Sequence, residues 1–352
     1  MCNEGCSSAI FRSTVFQTTP LQSVNQPVAT AIVGHEGGFA SGIGQSTSDA
    51  RRNKSLYMRL HKANRVIRLT AMTVTAIGST VLAARTPATT QSAANTTGPD
   101  DPIGVPPPAL KQGFYSKCAY FRGMPILGNA KVDDRAFHKL IDVFGKELAQ
   151  CDPRLMPTLL RAGVHYSIIA QSDGQTTLPE LAFERNDPNV DWDKRARGMG
   201  GRHSSGGEEN ILELPNDRYR GESIYIHEFA HTLDEFAFSV LDPDFKSDLR
   251  AAYQHAKQTG LWTNTYSISN QAEYFAEGVQ MYFDCAAGGY PANGIHNEII
   301  NREGLKKYDA ALFNLIDREF GQNPWRYEGK YNTTNKKFSY NPRRWRGATT
   351  QP

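Results

Sequence analysis

Residues 224–236, IYIHEFAHTLDEF, constrain this chain more than any other stretch. Ile224, Ile226, Phe229, Ala230 and Leu233 make most faces of a helix apolar, and His227, Glu228 and His231 sit among them. Residues four apart lie on one helical face, so His227 and His231 can aim two imidazole nitrogens at one point. Burying two imidazoles and a carboxylate among apolar side chains is costly unless something satisfies them. A zinc ion does so, with Glu228 turned toward the coordination position left open for water. A chance match of three residues is the competing reading, and the apolar context argues against it.

A third protein ligand must then come from elsewhere. No histidine closely follows His231, and the later ones, His255 and His296, fall on a polar helix and in a Gly/Asn-rich loop. The stretch 266–283, YSISNQAEYFAEGVQMYF, is the better source. Glu273 and Glu277 lie four apart on a helix that is otherwise largely apolar, where carboxylates need a reason to be. One as ligand and the other as acceptor for a ligand imidazole N–H would satisfy both; a solvated acidic edge is the plain alternative.

The two motifs HEFAHTLDEF and YSISNQAEYFAE, in this order and with Tyr266 seven residues before Glu273, carry a family resemblance. The chain resembles the gluzincin peptidases related to the catalytic domain of anthrax lethal factor and to the bacterial titration-factor aminopeptidases. The similarity centres on residues 207–284, extends over about 114–320, and is absent before 113. It implies that His227, His231 and Glu273 bind one zinc ion per chain, that Glu228 is the general base, that Tyr266 stabilises the oxyanion, and that peptides or proteins are the substrates. Glu277 would orient a ligand imidazole, with Asp234 as the alternative partner.

The predicted elements fit an α+β, zincin-like metallopeptidase fold, with a small mixed sheet packed on the active-site helix and a mainly helical C-terminal part. A strand pair turns at Arg122-Gly123, helices follow from Asp133 to just before Pro153 and over about 154–162, and VHYSIIAQ reads as a buried strand. Residues 187–207 read as a long polar loop, a candidate lid on which Arg202 and His203 could touch substrate. ENILELP reads as a strand, and as an edge it would place Asn210 and Leu212 near the cleft for a peptide to add alongside. Its other reading is an ordinary core strand. Further helices are expected over 222–236, 244–259, 270–283 and 304–320.

Charge and hydropathy order the rest. Residues 1–85 hold nine Lys/Arg against three Asp/Glu, leaving 30 against 33 in the remainder, so the basic excess is N-terminal and nothing calls for nucleic acid. Arg59, Lys62, Arg65 and Arg68 precede the apolar stretch Leu69–Ala84 and then small residues, the plan of a secretory signal. Met58 would serve as initiator, making 1–57 a polar leader outside the translated chain and 58–85 the signal; an uncleaved membrane anchor over 69–84 and a chance apolar patch are the alternatives. A Pro/Thr-rich linker over 86–112, a metallopeptidase domain over 113–325 and a tail over 326–352 complete the expected organisation. After signal cleavage the product would be a secreted monomer without membrane contact. Cys118 and Cys151 are the expected pair, leaving Cys285. Two other function classes remain: an inactive, zinc-stabilised toxin-like binding module, and a zinc hydrolase acting on something other than peptides.

Overall fold

The computed structural model describes residues 96–331. The leader 1–57, the secretory segment 58–85 and the tail beyond Tyr331 lie outside the described residues. Five short strands form one mixed sheet in the order β1 (Lys117–Phe121), β2 (Met124–Gly128), β3 (His165–Ile169), β5 (His203–Gly207), β4 (Gly198–Met199). The outer pairs are antiparallel and the inner ones parallel. Arg122 and Gly123 join β1 to β2 with φ of 47° and 90°, the left-handed pair that a two-residue hairpin turn demands.

Helices α1 (Asp134–Glu147) and α2 (Leu155–Arg161) make the crossover from β2 to the parallel β3. The Asp133 carboxylate accepts from the Arg135 amide and starts α1, whose Phe137, Leu140 and Phe144 go into the core. After β5 the chain is mainly helical: α3 (Ile224–Leu233), α4 (Phe245–Thr259), α5 (Gln271–Tyr282), α6 (Arg302–Tyr308) and α7 (Ala310–Glu319). Phe229 of α3 stacks on Phe144 of α1 with ring centroids 4.2 Å apart, which seats α3 against the sheet layer. Helix α5 packs along α3, and Gly278 lets α7 approach, since a Cβ there would stand 2.7 Å from a Leu312 methyl. The architecture is α+β, with the mixed sheet on one side and helices making up the C-terminal part.

Several expected elements take a different form. The polar stretch 187–207 contains the β4–β5 hairpin. ENILELP is no strand: Glu208–Ile211 is one helical turn, and its acids have partners that local sequence does not reveal. Glu208 accepts from the amides of Asp133 and Gln171, while Glu209 holds the Arg197 guanidinium through two hydrogen bonds of 2.6 and 2.8 Å. The helix expected over 304–320 breaks at Asp309. That residue caps α7 through the Leu312 amide and accepts from Trp262 Nε1 and the Tyr274 hydroxyl at 2.9 and 2.6 Å. Cys118 and Cys151 are both free thiols. They face different apolar clusters, Cys118 beside Leu127 and Ile169, Cys151 against the cluster that holds Phe144.

The proline-rich segment also does more than link. The Thr97 amide donates to the Tyr120 carbonyl at 2.8 Å, and Gly104 pairs with Cys118 in both directions, so residues 97–104 lie along the outer edge of β1. At the other end Tyr327, expected in the tail, is buried, and its amide donates to the Phe283 carbonyl. Among the described residues no helix is long and apolar enough to cross a membrane.

Candidate metal centre

Helix α3 has no side-chain cap of its own. Its start is held by Asn210, whose Oδ1 accepts from the Ile224 amide at 2.8 Å and whose Nδ2 donates to the Glu222 carbonyl at 2.8 Å and to Asp217 at 2.9 Å. Helix α5 begins at Asn270, whose side chain accepts from the amides of Ala272 and Glu273 and so fixes Glu273 in the first turn. A carboxylate at a helix start is further favoured by the backbone dipoles.

These two anchored helices bring the donors together. His227 Nε2 lies 3.1 Å from His231 Nε2 and 3.0 Å from Glu273 Oε2, and His231 Nε2 lies 3.3 Å from that same oxygen. Three donors at such separations outline one triangular face of a small tetrahedral ion, whose ligand-to-ligand edge is about 3.3 Å for zinc bonds near 2.0–2.1 Å. The two imidazole rings stand edge to face, with planes at 81° and centroids 4.8 Å apart. His227, Glu228 and Glu273 are buried, and His231 is the most open of the four.

The electrostatics ask for a cation. Glu228, Glu273 and Glu277 surround the imidazole pair within an apolar layer. Burial works against a charged His227, yet the hydrogen bond and charge of Glu273, with Glu228 and Glu277 behind, outweigh it and lift the imidazole to about 9. Burial likewise opposes ionisation of Glu273, but His231 and His227 overcome it and hold the carboxyl at about 2. Burial raises Glu228, the imidazoles drawing it back, and lifts Glu277 to about 7. Three donors within 4.8 Å of one another in this acidic surround make a set that could hold a divalent ion. His227, His231 and Glu273 are the residues that fit it.

Around the donors, Glu228 lies under the β4–β5 hairpin: a Cβ on Gly198 would stand 2.9 Å from its Cγ, and one on Gly200 would stand 2.8 Å from its carbonyl oxygen. Tyr266 sits on the turn Tyr266–Ile268, tethered through its amide to the Ile295 carbonyl at 2.7 Å. Burial and then the charges of Glu273 and Glu228 push its phenol far above the usual range, so it stays protonated.

Other predicted site residues land elsewhere. Glu277 reaches to 3.6 Å from His227 Nδ1, but the closer partner is Gln280 Oε1 at 3.1 Å, which sequence reading passed over as a neutral residue on an apolar helix. Asp234 touches no ligand imidazole: it opens the π-helical turn Asp234–Phe238 after α3 and forms an ion pair with Lys246. Asn210 is buried in its role at the start of α3, and Leu212 packs against the main core, so the edge strand expected to present them is absent from this segment.

The chain matches no protein-family model and no curated protein. Among solved structures it is similar to that of the PRO-PRO endopeptidase PPEP-2 from Paenibacillus alvei, with a TM-score of 0.36 and 14% identity over 55% of this chain and 96% of that one.

Proposed function

We propose that this protein is a secreted zinc-dependent peptidase of the gluzincin type, acting on peptide or protein substrates. The observation that carries the reading is the convergence of His227, His231 and Glu273 within 3.0–3.3 Å of one another, with Glu228 next to His227 on the same buried helix. Zinc held there supplies a Lewis acid that polarises a carbonyl and brings water within reach of deprotonation near neutral pH.

The chain's own residues do the rest. Glu228, held under the β4–β5 hairpin, takes the proton of the attacking water and returns it to the leaving amine. The Tyr266 phenol, kept protonated, donates to the oxyanion that develops on the scissile carbonyl. Gln280 accepts from His227 Nδ1, which turns Nε2 toward the ion. Glu228 and Tyr266 have no part in a purely structural zinc site, and their presence favours an enzyme over an inactive binding module.

Comparing wild type with Glu228→Gln and Glu273→Ala tests the reading. Glu228→Gln should keep its zinc and lose cleavage of a peptide library by about 10²–10⁴-fold. Glu273→Ala should lose the zinc itself; stoichiometric zinc at His227 and His231 in that variant, or full activity in Glu228→Gln, would sink the mechanism. N-terminal sequencing of exported protein should find a start after about Ala84, and an intact chain beginning at Met1 inside the cell would rule out secretion.

A further inference from the structure

On the face of the sheet turned away from α3, a second set of donors meets. His165 opens β3 and His203 opens β5, and the parallel register sets them side by side. Their Nδ1 atoms are 3.2 Å apart. Glu180, on the segment Pro179–Asn186, places Oε1 3.1 Å from His165 Nε2, and its other oxygen accepts from the Tyr115 hydroxyl at 2.6 Å. The three residues offer ligand atoms within 4.8 Å of one another.

We propose that His165 and His203, through their Nδ1 atoms and with Glu180 behind His165, form a second site for a divalent transition metal such as zinc, separate from the proposed catalytic centre. The 3.2 Å between the two Nδ1 atoms is close to the edge of about 3.3 Å expected for imidazoles sharing one tetrahedral zinc. The Glu180 carboxylate accepts the Nε2–H of His165, which leaves the Nδ1 lone pair free to bind; a carboxylate behind a ligand imidazole is a recurrent support of metal sites. The Glu180 side chain is 7% exposed and accepts also from Gln112 Nε2 at 2.8 Å; among the described residues its donors are neutral and no Lys or Arg pairs with it, so a cation behind His165 complements a buried negative charge. His203 is exposed, which provides an entry path and room for water to complete the shell.

The site has leverage on the catalytic helix. The turn Gly200–Arg202 leads directly into His203. Gly201 exchanges hydrogen bonds with the Thr232 hydroxyl on α3, its amide donating at 3.2 Å and its carbonyl accepting at 2.8 Å. An ion joining His203 to His165 would pin the end of the hairpin that lies over Glu228 and His231.

The test is zinc stoichiometry on the full, chelator-stripped chain, with hydrogen exchange as a second readout. Wild type should take two equivalents, Glu273→Ala one, His203→Ala one, and the double variant none. In Glu273→Ala, zinc at about ten times its dissociation constant should slow exchange at residues 200–203 roughly tenfold. A single equivalent in wild type that disappears with Glu273→Ala would overturn the second site and leave the proposed peptidase standing. A second equivalent that survives in His203→Ala would overturn it as well. A single equivalent that disappears only with His203→Ala would instead overturn the catalytic zinc.

Discussion

His227 Nδ1 donates to Gln280 Oε1 at 3.1 Å, and Gln280 Nε2 donates to the Ser223 carbonyl at 3.1 Å. One amide on α5 thus sets which nitrogen of His227 faces Glu273 and also docks α5 on the start of α3. Replacing it with Gln280→Leu should weaken zinc binding by about 10–100-fold, the usual effect of removing a ligand's supporting hydrogen bond. Gln280→Glu keeps an acceptor at that place and should recover most of the affinity. Competition against a chromogenic chelator reads both; equal affinity in Gln280→Leu and wild type would dismiss the role.

Asn210→Ala should act on stability and not on substrate recognition. It removes three buried hydrogen bonds at the start of α3 and leaves the Ile224 amide without its acceptor, a loss of about 2–3 kcal/mol. Urea unfolding should show the drop while KM of the folded fraction stays at the wild-type value. A raised KM at unchanged stability would return Asn210 to the substrate cleft.

Gly200→Ala should disturb the site through contact alone. A Cβ there would meet His231 Cβ at 2.4 Å and the Glu228 carbonyl oxygen at 2.8 Å, neither the end of a flexible side chain. Overpacking of this kind costs about 1–3 kcal/mol, and activity should fall with it. Gly104→Ala, whose Cβ would meet nothing nearer than the Cys118 carbonyl at 3.7 Å, is the matched control and should leave both unchanged.

Asp217 gives a pH dependence away from the donors. Burial, aided by Glu209 and Glu222, raises its carboxyl from 3.8 to about 6 against the pull of the Tyr219 amide and Asn210. The folded state therefore holds the proton more tightly than the unfolded chain. That contribution to stability is fully present below pH 3.8 and is lost as pH rises through about 6. Asp217→Asn should gain on wild type above pH 6 and lose the advantage in acid. Thermal melts of both between pH 4 and 8 measure it, and a pH-independent difference would refute the shift.

The parts of this fold that sequence makes legible are those where local pattern and tertiary environment agree. Helices α3 and α5 combine helical spacing of apolar residues with ionisable groups that need each other, and Arg122-Gly123 carries the turn chemistry of its hairpin. Strand β5, HSSGG, is illegible because nothing β-branched marks it. Its composition answers to packing on both faces: Ser204 and Ser205 are fully buried, and a Cβ on Gly206 would fall 2.3 Å from the Tyr166 hydroxyl. Only small residues fit between the sheet's neighbours, and small residues in sequence read as loop. Glu208 and Glu209 mislead in the opposite sense, since their partners Asp133, Gln171 and Arg197 come from other segments. Gln280 was hidden by its chemistry, a neutral amide that local pattern does not single out until its distance to His227 is known.

The pairing of Thr97 and Gly104 with β1 has a consequence for how the protein can be handled and processed. Those few residues act as a strap over an otherwise bare row of amides and carbonyls, the feature that invites strands of neighbouring molecules to zip on. A chain trimmed to begin at Phe114 would keep His227, Glu228, His231, Tyr266 and Glu273 and still expose that row. Its failing would be clumping rather than loss of the donor set, and the solubility of the protein rests on a segment outside that set.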